Sequence, residues 1–90
     1  MADTATARIE AGVIEVLRNV SRRPIEAGRV TMSSDLVADL GFDSLQVLEV
    51  IAELEDAFDI SIPLNDVPAT RTVGQVVAQV AALLEQRTST

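Results

Sequence analysis

The residues best placed to do chemistry lie in one stretch, Asp39-Leu40-Gly41-Phe42-Asp43-Ser44-Leu45. An acid precedes a hydroxyl where a Gly-containing loop meets an amphipathic segment. Two readings fit this pattern. In the first, Asp43 caps a helix, Gln46 three residues on completes a capping box, and Ser44 is an ordinary first-turn residue. In the second, Ser44 is a catalytic or modified site. A Ser hydroxyl with no base beside it stays inert until one is supplied. The chain has no His and no Cys. A Ser–His triad, a thiol nucleophile and a His- or thiolate-based zinc site therefore cannot form. A self-contained enzyme is not expected. A calcium loop fits poorly, because Asp35, Asp39 and Asp43 are spaced by four. An EF-hand alternates its ligands by two and closes on a Glu that this loop lacks.

The elements around the stretch follow from hydrophobic spacing. From about Thr6 to Val20, apolar Ile9, Val13, Val16, Leu17 and Val20 recur with helical period. Arg18, Arg22 and Arg23 gather near the end of that helix, where cations suit the dipole, and Pro24 stops it. A long connection follows, from Ser21 to Asp43. A loop of this length needs pins in a compact domain, and Val30, Leu36, Leu40 and Phe42 are the candidates. Ser34-Asp35-Leu36 can open a short helical turn that Gly41 closes. A second helix is expected from Ser44 to Phe58. Its inner face carries Val47, Val50, Ile51, Leu54 and Phe58. Its outer face carries Leu45, Glu49, Ala52, Glu53 and Asp56, with Leu48 at the boundary. After Pro63, Asn65 to Ala69 can form one short turn. A last helix begins at Thr72, which has capping-box spacing to Gln75 and a buried stripe of Val73, Val76, Val77, Val80, Leu83 and Leu84. The tail from Arg87 to Thr90 is expected to fray. The predicted fold is all-α, a small bundle of three main helices plus one short helix. It forms one domain over residues 1–90, with an ordered core from about 6 to 86.

Composition limits the partners. Ninety residues suffice for one domain, and 48% of them are apolar. Phe42 and Phe58 are the only aromatics, so aliphatic packing carries the core. The net charge is −7, which argues against nucleic acid. The charge is also uneven. Nine acids and no cation lie between Asp35 and Asp66, so that segment carries −9 and the rest +2. A one-sided field of this kind favours basic partners, although it also suits a plainly solvated surface. No basic stretch followed by an apolar run opens the sequence, and no apolar run reaches membrane-span length. A cytoplasmic monomer is the expectation.

The pattern Leu40-Gly41, Asp43-Ser44-Leu45 resembles the attachment motif of acyl carrier proteins. The resemblance extends from about Ile9 to Leu84. Glu49, Leu54-Glu55-Asp56, Phe58, Ile62-Pro63 and Thr72-Val73 follow at the family's spacing. It implies that Ser44 receives a 4′-phosphopantetheine arm from coenzyme A through a phosphopantetheinyl transferase. It implies that Asp43 assists recognition by that transferase. It also implies that Leu45, Leu48, Glu49, Glu53, Glu55 and Asp56 face partners. These would be acyl-transferring, ligating or condensing enzymes with basic docking patches.

The resemblance is imperfect at three places. Gln46 and Leu64 stand where acids are common, and Ala52 stands where a bulkier residue is frequent. Ala52 and Leu64 are therefore expected to alter the entrance to any acyl pocket. A cluster of Arg22, Arg23 and Arg29 is expected to offset nearby acids rather than bind a partner. Two other functions remain open at this level. One is a peptidyl or aminoacyl carrier of nonribosomal synthesis. The other is a helical interaction module without a cofactor.

Overall fold

A computed structural model describes residues 4–63, 65, 67 and 70–88, with the side chains of 4, 27, 87 and 88 excepted. Three helices dominate: α1 (Thr4–Val20), α2 (Ser44–Phe58) and α3 (Val73–Thr88). These match the helices expected from spacing. The end differs, because α3 continues through Thr88 where fraying was expected. Asn65 and Val67, in the segment where one short turn was expected, have 3-10 conformation, while residues 64, 66, 68 and 69 lie outside the described set. A further short helical element is a 3-10 turn at Ala27–Arg29. Periodicity could not find it, because three residues carry no pattern.

The core sits where the three helices converge. Val13 and Leu17 of α1, Val50 and Leu54 of α2, and Val73, Val76 and Val80 of α3 are fully buried. Leu36 and Phe42, two of the predicted loop pins, join them. Burying a side chain of this size contributes about 1.5–3 kcal/mol, which is how so long a connection stays ordered. Val30 is buried as well, and Leu40 is half-buried against the same cluster.

After α2, Ile60, Ser61 and Ile62 alternate between core and solvent. Both Ile side chains enter the core while Ser61 is exposed.

Backbone contacts fasten the first connection to α3. Asp35 and Thr72 form an antiparallel bridge. Leu36 N–H donates to the Arg71 carbonyl (2.8 Å), and Val73 N–H donates to the Ser34 carbonyl (3.0 Å). Gly74 N–H donates to the Met32 carbonyl at 2.7 Å. A Cβ on Gly74 would stand 2.9 Å from that carbonyl oxygen, so glycine permits the approach. Thr72 caps α3 as its spacing predicts. Its Oγ1 accepts from Gln75 N–H (3.2 Å), and Gln75 Oε1 accepts from Thr72 N–H (3.1 Å).

The turn expected after Ser34 also forms. Asp39 N–H and Leu40 N–H donate to the Asp35 carbonyl, and Gly41 N–H donates to the Val37 carbonyl. Gly41 closes the turn with φ of 75°, a backbone region that favours glycine.

Candidate functional site

The site is built on the start of α2. Asp43 is its N-cap, with extended backbone angles (φ −91°, ψ 179°). Its Oδ1 accepts from Gln46 N–H at 2.8 Å, and Gln46 Oε1 accepts from Asp43 N–H at 3.2 Å. The capping box is therefore complete, as the spacing suggested. Gln46 does more than spacing can show. It is buried, and its Nε2 donates to the Val20 carbonyl at 3.4 Å. One side chain thus caps the start of α2 and satisfies an open carbonyl at the end of α1. This accounts for an amide here rather than an acid, because a carboxylate could not donate to Val20.

Because Asp43 does the capping, Ser44 is spared it. Ser44 is exposed, and no side-chain hydrogen bond engages its hydroxyl among the described residues. The two sequence readings are therefore compatible, with the cap on Asp43 and a free hydroxyl beside it.

Ser44 opens on a groove of about 520 Å³. Leu36 and Val37 of the loop, Val47 and Leu48 of α2, and Val67 give it apolar walls. Asp35, Thr70 and Arg71 add polar atoms at one side. Leu48, expected at the boundary of α2, is 48% exposed, and Leu45 is 61% exposed. Val37 is 58% exposed and was not singled out by sequence. The signal for it was present, since Leu36 turns into the core and its neighbour must turn out. Ala52, expected to alter a pocket entrance, is exposed on the outer face and does not line this groove. Leu64 lies outside the described residues.

The acids divide by task. Asp35 Oδ1 accepts from Val37 N–H (2.9 Å) and Ala38 N–H (2.8 Å), and Asp39 Oδ2 accepts from Asp35 N–H (2.7 Å). The Ala38 N–H holds the Asp35 carboxyl below its ordinary range. Partial burial opposes this, while Val37 N–H and Arg71 assist. Glu55 is half-buried, and its Oε2 accepts from Ile62 N–H at 2.8 Å. Glu55 therefore anchors the chain after α2, a role the sequence did not suggest. Glu49, Glu53 and Asp56 are exposed on the outer face with Leu45. Among the described residues no group of three or more acids is placed to hold a metal ion.

The Arg cluster lies on the other side of the α2 start. Arg22 and Arg23 line a cleft of about 290 Å³ with Asp43 and Gln46, and Arg23 and Arg29 line a neighbouring one. The expected offset of acids does not take the form of ion pairs. Among the described residues none of the three Arg pairs with an acid within 4.0 Å.

Among the described residues no helix is long and apolar enough to cross a membrane.

Comparison with known proteins places this architecture. The family model for the phosphopantetheine attachment site matches residues 11–87. A meromycolate extension acyl carrier protein of Mycobacterium tuberculosis is 37% identical over 87% of this chain, and this chain spans 66% of that protein's length. The corresponding protein of Mycolicibacterium aurum is 38% identical, over 87% of this chain and 78% of its own. An acyl carrier protein of Amoebophilus asiaticus is 35% identical, over 88% of this chain and 96% of its own. A solved structure from Mycobacterium tuberculosis, described as an acyl carrier protein, superposes with a TM-score of 0.74 at 38% identity, covering 82% of this chain and 96% of its own. A chain matched over most of its length by the attachment-site model, with relatives of this identity and coverage, belongs to the acyl carrier protein family, whose members carry phosphopantetheine and are not themselves enzymes.

Proposed function

We propose that Ser44 is the residue that takes the 4′-phosphopantetheine arm, and that the chain shuttles acyl intermediates between biosynthetic enzymes. The observation that supports this most is the exposed, unengaged hydroxyl of Ser44 beside the capping Asp43, at the mouth of a largely apolar groove. The residues fit the group. Ser44 offers the oxygen for the phosphodiester, which would replace the pyrophosphate P–O bond of coenzyme A as adenosine 3′,5′-bisphosphate leaves, and the groove offers apolar walls for what hangs from it. The arm itself supplies a thiol, which this Cys-free chain lacks.

The chain's own residues do the rest. Asp43 sets the start of α2 and so points Ser44 outward. With no His in the chain, the base that takes the Ser44 proton must come from the transferase. Leu45 and Leu48 present apolar contacts among Glu49, Glu53 and Asp56, a surface suited to a basic patch with an apolar centre. Charged docking of this kind gives fast encounter and release, which a shuttle between enzymes requires. The likeness to meromycolate extension carriers favours a lipid-type acyl chain in fatty-acid, polyketide or related synthesis. The reading extends to a cytoplasmic monomer in which residues 1–90 form a carrier domain.

The test locates the adduct. The chain is incubated with coenzyme A, magnesium and a broad-specificity phosphopantetheinyl transferase, then cut at Arg. Arg29 and Arg71 bound one fragment that holds Ser33, Ser34, Ser44 and Ser61. Fragmentation is expected to place the arm on Ser44. An arm on any of the other three would overturn the assignment.

A further inference from the structure

The groove that opens at Ser44 is lined by one cation, Arg71, and one carboxylate, Asp35, and the cation is barely engaged. Arg71 Nη2 stands 3.9 Å from Asp35 Oδ2, the outer limit for an ion pair, and the Arg71 side chain is 75% exposed. Exposed pairs at such distances hold weakly. Asp35 does not depend on it, because Val37 N–H and Ala38 N–H already bind its Oδ1 at 2.9 and 2.8 Å. Among the influences on the Asp35 carboxyl, Arg71 ranks last. A guanidinium has five N–H donors, and among the described residues this one long contact is all they make.

The root of the side chain is nevertheless fixed. Arg71 N–H donates to Gln75 Oε1 at 2.8 Å, and its carbonyl accepts from Leu36 N–H at 2.8 Å. A planar donor fork thus springs from a fixed backbone into a groove that it shares with the Asp35 carboxylate, and whose apolar walls include Leu36, Val37, Val47 and Leu48. That combination suits an oxyanion at the end of, or along, an apolar ligand.

We propose that Arg71 is the anion-holding residue of this groove. It takes an anionic oxygen group delivered on Ser44. That group is the phosphodiester that joins the arm to Ser44 or the free carboxylate of a carboxyacyl cargo. The inference rests on Ser44 being the attachment point. Tethering makes a weak contact sufficient, because a group held on a short flexible link has an effective concentration of about millimolar.

The test uses three loaded forms of the 15N-labelled chain. They are made with the transferase from coenzyme A, butyryl-coenzyme A and succinyl-coenzyme A, with loading verified by intact mass. Butyryl and succinyl have the same carbon count and differ in the carboxylate. The Arg71 Nε–Hε resonance is assigned by its loss in Arg71→Gln. That variant keeps both backbone bonds of residue 71. Movement of the resonance in all three forms, with a 31P shift of the phosphodiester that changes in Arg71→Gln, identifies the phosphodiester. Movement in the succinyl form alone identifies the carboxylate. In either case the shift should shrink towards zero in about 1 M salt, where the Debye length is about 3 Å. An Arg71 resonance unmoved in three forms of verified loading would overturn the inference and leave the attachment site intact. Failure to load at all would remove both.

Discussion

Two sets of acids within the same middle third behave differently. Asp35, Asp39, Asp43 and Glu55 spend their carboxylates on backbone N–H groups. Glu49, Glu53 and Asp56 project from α2 into solvent. In the sequence they form one run of negative charge. In the structure the first set shapes the site and the second set surrounds it. A charge total therefore overstates the docking surface, since about half of the acids are occupied in holding the loop and the ends of α2. Reversing a carboxylate from the first set should be read in stability, and one from the second set in association.

The largest separation is expected from reversing Glu49 and Asp56 together to Lys. Association with a basic partner such as the transferase should slow by about tenfold at low salt. Stability should stay within about 0.5 kcal/mol, as for surface changes generally. Stopped-flow binding and thermal melts would read the two effects, and unchanged association would sink the electrostatic part of the account. Asp43→Ala, by contrast, should lower stability. Loss of the N-cap costs about 1 kcal/mol, visible as a lower denaturant midpoint with an unchanged m-value. Glu55→Ala should be milder, up to about 1 kcal/mol, because Ile62 N–H then loses its acceptor but can reach water. Hydrogen exchange at Ile62 should accelerate, while association with the transferase stays near wild type.

The smallest expected effect concerns pH. Asp35 has a folded-state pKa below its ordinary value of 3.8. Its contribution to stability is therefore fully present above that value and fades as pH falls through the depressed one. Asp35→Asn should flatten the acid limb of the stability profile below about pH 4. An acid limb identical to wild type would show that the Ala38 and Val37 hydrogen bonds are not linked to folding.

Much of this division was hidden in the sequence, for a physical reason. Local signals were readable: the Asp43–Gln46 and Thr72–Gln75 boxes join residues three apart, and the inner face of α2 repeats with helical period. The candidate Ser44 was readable too, because cap, loop and amphipathic helix adjoin it in the chain. Contacts between distant segments were not. Gln46 reaches Val20, and Gly74 meets Met32, through packing that no window of sequence contains. The end of α2 was also opaque in mechanism. Asp59 adopts a left-handed φ of 54° there, where a glycine would have announced the stop. Arg71 entered no sequence argument, because only the fold brings it to the groove of Ser44.

Intact-protein mass spectrometry of the wild type and Ser44→Ala, side by side with coenzyme A, magnesium and the transferase, tests the central claim most directly. Ser44 is exposed and caps nothing, so the variant should keep its helical circular dichroism. One phosphopantetheine adduct is expected on the wild type and none on folded Ser44→Ala. An adduct on Ser44→Ala, or an unmodified wild type in the presence of an active transferase, would contradict it.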